Sequence, residues 1–454
     1  MKVTEYIILL GIGVCMGSCG LYSRYERTAA DSVEYDIAKI APQDSAEVSL
    51  GEIAWNEFFT DPYLKGWIDK ALASNTDLRV ARLKVDEAQA SLEASRLAFL
   101  PSVSAGVDGT SSTNGSNNLK ISGSAAWEID VFGRLRNLKL GKESAYYASE
   151  EYRRAVKTGV ISTVANSYYT LLMLDEQLDI SERTLTTWDE NIRALQALKR
   201  GGRTNEAAVL QARANRMQVE NSTLTLRSQI KAQENAVRAL MLDPEADLSR
   251  GRLGDQDFPE TLSLGVVATM LSNRPDVRQA EFQLRKCFYD INVARAAFYP
   301  SLTISGSGGW TTASGNGIAN PSEWVANFVG GLTAPLFNRG TNRANLKISE
   351  AEMEIASLDF QQRLLDAGME VNDALTDWQT ARDRLSLDKK QIVALKGAVH
   401  NTRLLMRNTS KTNYLEVLTA QQRLLEAELT EAQDRYNSIQ AIISLYHALG
   451  GGVD

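Results

Sequence analysis

The stretches FLPSVSAGV, Phe99 to Val107, and FYPSLTISG, Phe298 to Gly306, are near-copies of one another. In each, a proline closes a helix-like run, and apolar residues then alternate with small or polar ones. Val103, Ala105 and Val107 occupy one face of an extended segment, with Ser102, Ser104 and Asp108 on the other. After the polar turn TSSTNGSNN, Leu119, Ile121, Ala125, Trp127, Ile129 and Val131 oppose Lys120, Ser122, Ser124, Glu128 and Asp130. Alternation of period two over two such runs predicts a hairpin, with strands at about 102–110 and 119–131, long enough to cross a bilayer. The second copy repeats it at about 301–310 and 324–334. There Leu302, Ile304 and Trp310 share the apolar face, while Val325 and Val329 intrude on the polar face of the return strand.

The flanking helices repeat as well. Of nine prolines, none falls between Pro101 and Pro244 and none follows Pro335. An interior proline costs a helix roughly 3 kcal/mol or more, so these tracts are where long helices fit. Ala145, Ala148, Tyr152, Ala155, Val156, Val160, Val164 and Tyr168 recur at helical spacing, as coiled-coil packing requires. Helices are expected at about 62–100, 137–198 and 205–242, and again at about 262–298, 343–408 and 414–449. Ser74-Asn75 answers to Ser272-Asn273, beside Asp77 and Asp276, which favour an N-terminal turn. Pro101 answers to Pro300, Phe132 to Phe337, and Val209-Leu210 to Val417-Leu418. Their separation drifts only in the loops, as a duplication demands. The repeats span 61–250 and 251–454.

Ahead of them, Lys2 and the apolar run YIILLGIGV read as a signal peptide over 1–18, too short to span a membrane. Small residues before Cys19 resemble a bacterial lipobox, which makes Cys19 the lipidated first residue of an extended segment, 19–60. Gly20 after it favours sorting to the outer membrane. No later stretch holds 18 continuous apolar residues, so any further membrane segment must be strand. The net charge of −7 argues against nucleic acid. His400 and His447 lie far apart, and no H-E-x-x-H, C-x-x-C or G-x-S-x-G occurs. Neither an enzyme nor a cofactor or metal site is expected. Gly306-Ser307-Gly308-Gly309 lacks the lysine of a phosphate loop and lies within strand alternation.

Four strands cannot close a barrel, because an open edge in lipid leaves backbone groups unpaired and single-chain barrels need at least eight. Sister chains must supply the rest.

The segments Trp127-Glu128-Ile129-Asp130-Val131-Phe132-Gly133-Arg134, Ala334-Pro335-Leu336-Phe337-Asn338-Arg339, Asn273-Arg274-Pro275-Asp276-Val277 and Asn413-Tyr414-Leu415-Glu416-Val417-Leu418-Thr419-Ala420-Gln421 resemble the TolC-type outer membrane factor family. The lipoprotein branch serving resistance-nodulation-division (RND) efflux systems is the most similar. The resemblance runs from about Trp55 to Leu449. It implies a mainly α fold with a transmembrane β part, in which duplicated strand-strand-helix-helix units form a trimeric β-barrel continuous with a long α-helical coiled-coil barrel.

It also implies an exit duct for small molecules, in the outer membrane and reaching into the periplasm. The implied partners are a homotrimer, outer membrane lipid, a periplasmic adaptor (membrane fusion) protein and an inner-membrane RND transporter. Phe132, Gly133, Arg134, Phe337, Asn338 and Arg339 then form the strand-helix corners. Gly201, Gly202 and Arg203, with Ser410, Lys411 and Asn413, form the tips where the adaptor docks. Leu415, Glu416 and Thr419 are candidates for the periplasmic gate. Two other readings remain open at this point: a duct for polypeptides in a type I secretion system, and a periplasmic coiled-coil scaffold whose alternating runs are soluble hairpins.

Overall fold

The computed structural model describes residues 25, 50–111, 117–256, 258, 274–311, 324–408 and 414–453. The signal peptide, Cys19 and most of the 19–60 segment lie outside them, as do Ser410, Lys411 and Asn413. Helices α1 (Pro62–Ser74) and α2 (Thr76–Leu97) precede strands β1 (Ser102–Ser111) and β2 (Asn117–Ile129). Helices α3 (Arg134–Arg200), α4 (Glu206–Leu240) and α5 (Pro275–Ala296) follow. Strands β3 (Ser301–Thr311) and β4 (Trp324–Thr333) lead into α6 (Thr341–Asn408) and α7 (Tyr414–Ala448).

Two expectations are corrected. The single helix at 62–100 is two helices, parted at Asn75. There the Asn75 side chain accepts from the Asp77 and Leu78 amides (2.9 and 3.2 Å), capping α2, while its Nδ2 donates to Leu240 O. The second strand ends at Ile129, so Val131 is not on its apolar face. Of the helix expected at 262–298, residues 262–273 lie outside the described set.

The chain forms two compact units, and each draws on both sequence repeats. One comprises 1–31, 82–152 and 276–363; the other comprises 32–81, 153–275 and 364–454. The first contains an antiparallel four-stranded sheet in the order β1-β2-β3-β4. Its register aligns Val107, Ile121 and Trp310 in one row, and Ala125, Gly306 and Phe328 in another. Trp127, Ile304 and Gly330 follow, then Ile129, Leu302 and Leu332. Every one of these lies on the same side of the sheet. The opposite side carries Ser104, Ser124, Ser307 and Asn327 in a single row, with Ser104 and Ser124 bonded at 2.8 Å. Beneath the sheet, Tyr147 stacks on Phe282 at 5.3 Å, and Asn137 and Asn292 bond in the buried interior.

The second unit is helical. Arg216 pairs with Asp189 and Arg227 with Glu182, which holds α3 and α4 as an antiparallel hairpin. Lys396–Glu428 and Arg384–Asp434 do the same for α6 and α7. The unit's other end is knotted by Asp61. Its carboxylate caps α1 through the Tyr63 amide and accepts from Tyr168 (2.6 Å) and Gln256 (2.9 Å). Tyr168 is fully buried; burial first, then Asp61, raises its pKa well above the ordinary range, so it remains a neutral donor.

Candidate functional site: a sheet wall, two corners and a helical tip

The apolar side of the sheet is exposed in the single chain. Val103 is 81% accessible and Phe328 87%, with Val107 and Leu332 also largely uncovered. A row of branched and aromatic side chains turned to water would cost stability, so this side belongs against an apolar medium. The strands are 10, 13, 11 and 10 residues long. A tilted strand needs about 9–11 residues to cross hydrocarbon. Among the described residues no helix is long and apolar enough to do so. Small residues let the strands close up: a Cβ on Gly309 would fall 2.3 Å from Ile121 O.

At the first corner the motif WEIDVFGR is read out side chain by side chain. Trp127 Nε1 donates to Phe99 O at 2.9 Å. Arg134 grips Glu128 with two bonds, at 2.9 and 2.7 Å. Asp130 accepts from the amides of Leu135 and Arg136 (3.0 and 2.8 Å), which neutralises the exposed donors at the start of α3. Between them Gly133 takes φ 72, and Phe132 stacks on Tyr299 at 5.2 Å. A cavity of about 390 Å³ opens here, lined by Glu128, Phe132, Arg134, Tyr299 and Pro335 among others.

The second corner is built differently. Pro335 stands where Asp130 stands in the first copy, so the carboxylate that caps α3 has no counterpart at this position for α6. The positive φ falls on Arg339 (47) and Gly340 (79), not on Asn338. Phe337 is 87% exposed, and the last bridge is Asn338 to Asn342, whose Nδ2 donates to Ala297 O.

The first tip shows why its glycines are there. Arg203 N donates to Leu198 O (2.9 Å) and Gly202 N to Lys199 O (3.0 Å), with Gly202 at φ 69, a Schellman ending that satisfies the last carbonyls of α3. Asn205 then caps α4 through the Ala208 amide, and Lys199 pairs with Glu206 across the turn. Gly201, Gly202 and Arg203 are all exposed.

Behind this tip a buried cluster of Trp188, Ile192, Leu195, Ala208, Val209, Ala212 and Val219 includes Leu418 of α7, with Tyr414 packed against it. The first turn of α7 is thereby oriented. Val417 and Leu418 face inward, whereas Leu415, Glu416 and Thr419 lie together on the exposed face. The structure thus groups the three gate candidates on one side of one helix.

Sequence reading overlooked a polar clasp one turn further along. Gln421, 6% exposed, has its amide oriented to accept from Asn191 of α3 (2.7 Å) and Arg403 of α6 (2.8 Å). Gln421 closes the quoted Asn413–Gln421 motif, but its partners lie far away in sequence and only the tertiary register reveals them. Among the described residues no three His, Cys, Asp or Glu side chains are gathered to hold a metal.

The profile of the family described as "Outer membrane efflux protein" matches residues 67–241 and 266–451. The "Cation efflux system protein CusC" of Escherichia coli (strain K12) is 30% identical over 97% of this chain and 98% of its own length. The "Probable outer membrane lipoprotein SilC" of Salmonella typhimurium is 28% identical over 97% of both. The open-state crystal structure of the MtrE outer membrane channel of Neisseria gonorrhoeae is 25% identical, with a TM-score of 0.84. That match spans 96% of this chain and 99% of that one.

Proposed function

The chain belongs to the outer membrane efflux protein family and is a TolC-type outer membrane channel protein, not an enzyme; from that premise we propose that three copies form a passive exit duct for small toxic molecules. One observation carries this reading. The sheet presents a continuous apolar side but ends in two strands, β1 and β4, that pair with nothing further among the described residues. In lipid each unpaired backbone group costs several kcal/mol, so β4 of one copy pairs with β1 of the next. The helices support the same arrangement. Leu210, Met217 and Leu224 of α4, spaced a heptad apart, are each more than half exposed, as a seam awaiting a neighbour's helix would be.

In this reading Cys19 carries the lipid anchor. The Gly201–Arg203 turn and its counterpart at Ser410, Lys411 and Asn413 dock a periplasmic adaptor, beyond which lies the inner-membrane RND pump. Leu415 narrows the duct by dewetting, helped by Glu416 and Thr419. The corner residues hold the passage from strand to helix at the inner edge of the membrane. Membership of the efflux family supports small molecules as the cargo class; a passive duct leaves selection among substrates to its pump.

Single-channel conductance of reconstituted protein tests the gate. Wild type should be nearly closed, and Leu415→Ala should leak several-fold more. Equal conductance would remove Leu415 from the constriction.

A further inference from the structure

Between α6 and α7 lies a pair of acids that the channel account does not use. The ion pairs Lys396–Glu428 (3.1 Å) and Arg384–Asp434 (3.8 Å) fix the antiparallel register, and that register sets Asp388 against Asp434. Both are more than nine-tenths buried, at 8 and 5% exposure. Asp388 Oδ2 has no hydrogen-bond partner, while Asp434 Oδ1 accepts from Asn437 at 3.1 Å.

The charged groups around Asp388 are Asp434 and Glu431 on α7 and Arg384 on its own helix. Glu431 is held by Arg435 at 2.9 Å. The Arg384 guanidinium reaches Asp434 only at the long limit of an ion pair and is mostly in solvent. Two adjoining carboxylates with so little compensation cannot both ionise without a large penalty. Burial above all, then the Asp434 charge and its hydrogen bond, pushes the Asp388 carboxyl up.

We propose that Asp388 and Asp434 hold one proton between them, and that its release as pH rises sets two like charges across the α6–α7 seam and loosens that helix pair. The orphaned oxygen is explained by this arrangement: a carboxyl that carries the shared proton has one oxygen engaged and one idle. Asp388 stands about 30 Å along α6 from its end at Asn408, and Asp434 about 30 Å along α7 from its start at Tyr414. The sign is set by the upward shift. Folded Asp388 binds its proton more tightly than it does in the unfolded chain. Its contribution is therefore complete below the usual carboxylate range and disappears as pH passes the raised value. Lowering the pH tightens the pair and raising it relaxes the pair. The inference stands apart from the channel reading, since it concerns two helices and one proton.

The test is an infrared titration of the solubilised full-length protein, paired with amide hydrogen exchange over residues 380–395 and 425–440. As the pH rises past the range in which ordinary aspartates ionise, wild type should retain a protonated-carboxyl band that both Asp388→Asn and Asp434→Asn remove and Glu431→Gln leaves. After correction for intrinsic exchange, wild-type protection should fall about tenfold as the band is lost, whereas Asp388→Asn should stay protected throughout. A band that vanishes with the ordinary carboxylates, or survives in both Asn variants, would overturn the shared proton. Protection that ignores the titration would overturn the loosening.

Discussion

At the scale of single residues, the corners show how much rests on backbone sign. Gly133 sits at φ 72 between a bidentate Glu128–Arg134 bridge and the Asp130 cap. An L-residue there costs about 1–2 kcal/mol, so Gly133→Ala should lower the unfolding temperature of the protein. Arg339→Gly at the second corner should raise it, because that side chain already occupies the left-handed region. Thermal melts of both variants check the pair. Tyr168→Phe should cost about 1–3 kcal/mol, since the buried Asp61 carboxylate loses its 2.6 Å donor and the Gly251 amide its acceptor. Denaturant unfolding reads that loss. Gly133 was placed at a corner by the resemblance of its motif, and its φ of 72 gives the physical reason for a glycine there. Asp388 did not, since an acid on a long helix looks solvated until the register supplies Asp434.

Elements were more legible than contacts. Period-two alternation marked all four strands, and the observed register keeps their apolar residues on one side apart from Val325 and Val329, which pair with Gly309 and Ser305 on the polar side. The helix expected at 62–100 ran through Ser74-Asn75, which interrupts no apolar period, although the same pair beside Asp77 already favoured an N-terminal turn. What parts α1 from α2 is the Asn75 cap and its bond to Leu240 O, a long-range contact that local pattern does not encode. Close strand approach was hidden too: Gly309 reads as any small wall residue, yet a Cβ there meets Ile121 O at 2.3 Å. Gly309→Val should therefore part β2 from β3 and remove most of the heat-modifiable species on gels, where Ser307→Val, on the same side of the strand, should be tolerated.

For the whole molecule, the account turns on the two strands that end the sheet. The helical seam at Leu210, Met217 and Leu224 and the apolar wall both call for copies of the same chain. The unequal corners say that the two repeats are not interchangeable, so the proposed trimer would be a threefold assembly with alternating staves. Native mass spectrometry of the protein extracted from outer membranes in mild detergent measures this directly. The account predicts a species of three chains, about 150 kDa from a 50.0 kDa chain, that falls to single chains only when the strands are heat-denatured. A single chain that keeps its heat-modifiable strands would contradict it.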